Sequence, residues 1–179
     1  MPLRAIQNIK GLIMQDGSQL KYGIIKGEET APVLTIPVGA SEVIPAGGCF
    51  CKNDGSGRGE TAGDGSALLE GYYFPGDAGL DVGKKYQTAS STEGGTVAPF
   101  IPISAMLGVV VRLPNAGGTY VATMLGKTAD LEVNSGMQGV QLDASAEDTV
   151  IVVGGDLVNN AWVDVCVNPA KITGQTGVV

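Results

Sequence analysis

Ala161-Trp162-Val163-Asp164-Val165-Cys166-Val167-Asn168 has the clearest period of two in the chain. Side chains alternate across a strand, so Val163, Val165 and Val167 fall on one face and Trp162, Asp164 and Cys166 on the other. Because both faces carry apolar residues, this strand is expected to lie centrally with Trp162, the single tryptophan, buried. Upstream, Thr149-Val150-Ile151-Val152-Val153, Gly139-Val140-Gln141-Leu142 and Ala129-Asp130-Leu131-Glu132-Val133 are also short, β-branched and strand-like. Further back, Leu107-Gly108-Val109-Val110-Val111-Arg112-Leu113 stops at Pro114-Asn115-Ala116-Gly117-Gly118. Thr119-Tyr120-Val121-Ala122-Thr123-Met124-Leu125 then follows, so the pair reads as a β-hairpin. Helical spacing is almost absent, and the expected fold class is all-β: a small β-barrel or β-sandwich with an extended N-terminal segment and long Gly-rich loops.

Three parts follow from this reading, within one compact domain. Residues 1–45 form extended strands or an arm, residues 46–98 a Gly-rich loop region, and residues 99–179 the barrel or sandwich core with an extended tail. In the first part, Pro32 and Pro37 bracket a strand-like run, which suits a sheet edge or an arm laid on another surface. In the second, 52–66 is nearly all turn formers, with further breaks at Pro75-Gly76-Asp77-Ala78-Gly79 and Ser90-Ser91-Thr92-Glu93-Gly94-Gly95. Tyr72-Tyr73-Phe74 concentrates three of the aromatic residues there and is expected in the core.

Composition narrows the function. The 179 residues are 44% hydrophobic and only 16% charged, which excludes disorder by composition. Glycine, at 28 residues, is about twice the usual share, while aromatics are 5%, which suggests many turns around an aliphatic core. A net charge of −7 and a pI near 4.4 oppose binding to nucleic acid and to anionic membranes. The mean hydropathy of +0.19 with sparse charge favours a surface partly covered by other protein. The longest uncharged run, residues 94–111, spans 18 residues but holds two prolines and a double glycine, which is too broken for a membrane helix. No export signal is legible after Met1, and the three cysteines (Cys49, Cys51, Cys166) are expected to be free thiols of a reducing cytoplasm.

Catalytic motifs are missing. Without histidine the chain has no Ser-His or Cys-His pair, no His-based zinc site and no ordinary general base near neutral pH. Gly126-Lys127-Thr128 matches only the end of a phosphate-binding loop, since Val121 stands where its first glycine belongs. Gly57-Arg58-Gly59-Glu60-Thr61-Ala62 partly matches a dinucleotide fingerprint but lies in a turn-rich loop. Asp54, Glu60, Asp64, Asp77 and Asp81 are loop carboxylates whose spacing fits no calcium loop, and they read as solvated turn residues. No catalytic, cofactor-binding or metal residue is assigned.

Gly126-Lys127-Thr128-Ala129-Asp130-Leu131, Gln138-Gly139-Val140-Gln141-Leu142-Asp143, the run from Thr149 to Asp156 and the run from Asn160 to Asn168 together resemble the C-terminal half of the capsid cement, or decoration, proteins of tailed bacteriophages. The resemblance covers roughly residues 105–168 and is one of pattern, without a signature motif. It implies a small β-barrel or sandwich without active site or cofactor. Such a protein would sit on the outside of the icosahedral head and tie neighbouring major capsid subunits together. The expected partners are the major capsid protein and further copies of the chain, as a dimer or trimer, with no nucleic acid and no membrane. The expected location is the virion surface after synthesis in the host cytoplasm. Other classes compatible with the sequence are a tail-tube subunit, a receptor-binding tip and a non-viral carbohydrate-binding or surface module.

Overall fold

The computed structural model describes residues 22–26, 32, 34–39, 42–45, 48–66, 68–73, 85–87, 97–134, 136–143 and 146–172. The expectations for the N-terminal 21 residues, the glycine breaks after Phe74 and around 90–95, Asp77, Asp81 and the last seven residues lie outside them. Among the described residues there are thirteen strands, three short 3-10 turns and no α-helix, so the all-β fold class is shown. The strands are β1 (Gly23–Lys26), β2 (Leu34–Pro37), β3 (Val43–Pro45), β4 (Cys49–Asn53), β5 (Gly59–Thr61), β6 (Gly71–Tyr73) and β7 (Lys85–Gln87). They continue with β8 (Val97–Pro102), β9 (Val110–Gly117), β10 (Thr128–Asn134), β11 (Met137–Gln141), β12 (Val150–Gly155) and β13 (Trp162–Val167).

Five of these strands close into a ring, in the order β9-β11-β10-β12-β13 and back to β9. All its pairings are antiparallel except β11 with β9, which is parallel. Closure removes the open edges that an isolated sheet would present. β1 adds to β9 antiparallel through Gly23 and Ile24, beside the stretch that β13 holds on the other side. Val111, Leu113, Ala129, Leu131, Val140, Val150, Val152, Val163, Val165 and Val167 are all buried in one core cluster. Their alternation with half-exposed neighbours in β9 and β13 is the period-two pattern of the sequence made physical.

A second sheet has the order β2-β8-β6-β4-β5, and β3 pairs with β7 in a separate ribbon. One face of the second sheet, carrying Phe50, Tyr72 and Ile101, joins the barrel core. The opposite face, carrying Cys49, Cys51, Tyr73, Phe100 and Ile36, packs with Val38 and Ile44 in a smaller cluster. β4 is therefore buried on both faces, and its Cys49-Phe50-Cys51 run shows no alternation. The sheet meets the barrel at the end where β10 finishes and β11 begins. There a Cβ on Gly63 would lie 3.0 Å from Val133, and Gln138 reaches across to β4.

Gln138 fastens the two layers. Its side-chain amide behaves as a length of strand: Oε1 accepts from Phe50 N at 2.8 Å, and Nε2 donates to Phe50 O at 2.9 Å and to Ala62 O at 2.6 Å. The residue is 1% exposed, so Phe50 N and Ala62 O would otherwise face a dry interface, whereas Phe50 O also accepts from Ala62 N at 2.9 Å.

The structure corrects two sequence expectations. The hairpin across residues 107–125 does not form. β9 continues through Pro114 to Gly117 because its partner changes there, from β13 (Trp162 opposite Pro114) to β11 (Val140 opposite Asn115). Proline costs little at such a changeover, since one ladder ends where the next begins. Residues 119–125 hold no strand; Gly118 turns the chain at φ 77°, and a 3-10 turn covers Ala122–Met124. Trp162 is not buried either. It lies on the outer, half-exposed face of β13, with the Arg112 guanidinium 3.6 Å over its ring and Asp164 holding that guanidinium by a bidentate pair of 2.7 and 2.8 Å.

The aromatic pair and the proline-bounded strand fall where expected. Tyr72 and Tyr73 are core residues with no exposure, and Phe74 lies outside the described residues. β2, with its terminal Pro37, is an edge strand. The described strands of residues 1–45 all pair within this chain: β1 on β9, β2 on β8 and β3 on β7.

Candidate interaction surface

At the end of the barrel away from the second sheet, two loops stand side by side. One joins β9 to β10 and the other joins β12 to β13. The second loop is a tight turn built on Asp156. Its carboxylate accepts from the backbone N–H of Val158 and Asn159, each at 3.0 Å, and of Ala161 at 3.3 Å. Its own N–H donates to Trp162 O at 3.0 Å, closing the turn. Hydrogen bonds to the charged form favour it, so the Asp156 carboxyl sits below its ordinary value. Asn160 closes the turn in the left-handed region at φ 55°, a conformation asparagine tolerates better than most residues.

Asn160 also locks the neighbouring loop. Its Oδ1 accepts from Tyr120 N at 2.7 Å and its Nδ2 donates to Gly118 O at 2.9 Å. Asn115 donates to the same Gly118 carbonyl at 3.0 Å and to Asn160 O at 3.3 Å. The Tyr120 ring lies flat against Gly155, where an added Cβ would fall 2.6 Å from the ring, so only glycine fits. The loops are thus held by side-chain to backbone bonds and by one close ring contact.

Held in this way, the two loops carry apolar side chains into solvent. Leu157 is 65% and Val158 88% exposed, and Val121 and Leu125 in the neighbouring loop are each more than two-fifths exposed. Residues 118–126 contain no charged side chain. Single exposed apolar residues are ordinary, but Leu157 and Val158 are consecutive and project from a turn fixed by hydrogen bonds.

Several of the sequence-derived candidates are engaged elsewhere. Asp54 pins its own loop by accepting from Ser56 N, Ser56 Oγ and Arg58 N, which holds its carboxyl below the ordinary value. Glu60 pairs with Lys52 at 3.0 Å. Glu60, Asp64, Glu42, Lys52 and Thr61 line an open cleft of about 440 Å³, where Glu42 accepts from Thr61 N and Oγ1, each at 2.8 Å. Glu42 thereby occupies the hydrogen-bonding edge of β5 that a further strand would use. Cys49 and Cys51 are buried; desolvation pushes the Cys49 thiol up to about 12 and raises that of Cys51 as well. Cys166 is half-buried on the outer face of β13. Gly126-Lys127-Thr128 runs from a turn directly into β10, with no helix to receive a phosphate. Among the described residues, no group of three or more His, Cys, Asp or Glu is placed to hold a metal ion, and no helix is long and apolar enough to cross a membrane.

Asn115, Asn160 and Asp156 were not singled out from sequence. The available signal was Asp156 followed by Asn159-Asn160 between two strands, which marks a side-chain-stabilised turn. Comparison with known protein families, curated proteins and solved structures returns no match.

Proposed function

We propose that this chain is a structural virion protein. It binds the outside of a tailed-phage head and cements neighbouring major capsid subunits, stabilising the expanded shell. The observation that carries the reading is the rigid apolar end of the barrel, where Leu157 and Val158 are presented on a turn fixed by Asp156. The resemblance of residues 105–168 to cement proteins gives that surface its partner. A protein that acts by covering a junction needs a stiff body, a fixed contact surface and no catalytic group, and its binding stabilises the bound state by mass action. Asp54 and Asp156 are spent on turns, Glu42 on a strand edge and Glu60 on an ion pair. Closed cyclic self-association would match the local symmetry axes of a capsid.

The test is co-sedimentation of the purified chain with empty expanded heads assembled from the major capsid protein of the same genome. Saturable binding at a fixed copy number, with a raised head melting temperature, is expected. Absence of binding, or assembly of the chain alone into open tubes, would exclude the cement role.

A further inference from the structure

We draw no further inference here: the strongest candidate, the open cleft between β5 and the turn joining β10 to β11, is lined by Glu42, Lys52, Glu60 and Asp64 but carries nothing, because Glu42 is already bonded to Thr61 and Glu60 to Lys52 and, among the described residues, no buried side chain left without a hydrogen-bond partner lines it.

Discussion

The barrel and the sheet beneath it are both built of short strands, but they solve burial differently. The barrel has one inside, so β13 alternates buried Val163, Val165 and Val167 with half-exposed Trp162, Asp164 and Cys166. The second sheet is covered twice, by the barrel on one face and by Ile44 and Val38 on the other. Its central strands therefore bury consecutive residues, Cys49-Phe50-Cys51 and Gly71-Tyr72-Tyr73. The difference explains why glycine matters more in the sheet. A Cβ on Gly71 would fall 2.0 Å from the Phe100 ring and 2.4 Å from Ile101 O, leaving no room on that side for any side chain. One core cluster nonetheless runs from the barrel valines through Phe50 and Tyr72, whose rings meet edge to face at 5.1 Å. The two regions should behave as one cooperative unit.

That claim is broken most readily at Tyr72. Tyr72→Ala should cost about 3–5 kcal/mol, and sheet and barrel signals should be lost in one transition. Two separated transitions in chemical denaturation, read by tyrosine and tryptophan fluorescence, would show that the barrel folds alone. The contact itself is tested at Gln138. Gln138→Leu removes three hydrogen bonds and strands Phe50 N–H and Ala62 O in a dry interface, while Phe50 O keeps its bond from Ala62 N. A loss of about 2–4 kcal/mol is expected, larger than for a typical surface amide.

Alkali should probe the sheet more than the barrel. The Cys49 and Cys51 thiols are raised above their ordinary value by burial, Cys49 to about 12. An acid whose folded pKa is raised keeps its proton in the native state and loses it sooner when unfolded. Its stabilising effect is full below the unfolded value of about 8.5 and falls as pH climbs toward the folded value. Chemical denaturation between pH 8 and 11 should therefore show declining stability, and Cys49→Ala/Cys51→Ala should flatten that slope. An identical slope in the double variant would place its cause elsewhere. In the native protein Cys166 should react with a thiol reagent well before the other two.

The smallest effect is expected on the outer wall of the barrel. Trp162→Ala should cost only about 1–2 kcal/mol, since it loses a half-exposed ring and one stacked guanidinium. A loss as large as that of Tyr72→Ala would mean that the ring is buried in solution.

The same contrast sets what could be read from sequence. Four of the ring strands were legible because a closed barrel forces alternation or compact β-branched runs. β4 and β6 were harder, since double coverage erases the period and turn-forming glycines surround them. The hairpin at 107–125 misled because Pro114 and two following glycines are turn chemistry, while only tertiary pairing shows that β9 passes through Pro114 and changes partner. Trp162 misled for a related reason: an aromatic ring on the outer face can be satisfied by Arg112, 50 residues away in sequence, and no local pattern records that. The apolar tip was invisible because Leu157 and Val158 look like core residues until Asp156 and Asn160 are seen to hold them outward.

The most direct measurement of the whole account is an electron cryomicroscopy reconstruction of expanded heads decorated with the full chain. Additional density outside the shell, bridging neighbouring capsid subunits with the Leu157 and Val158 end of each barrel pressed against it, is the predicted result. Undecorated shells at saturating protein, or density with that end pointing into solvent, would contradict it.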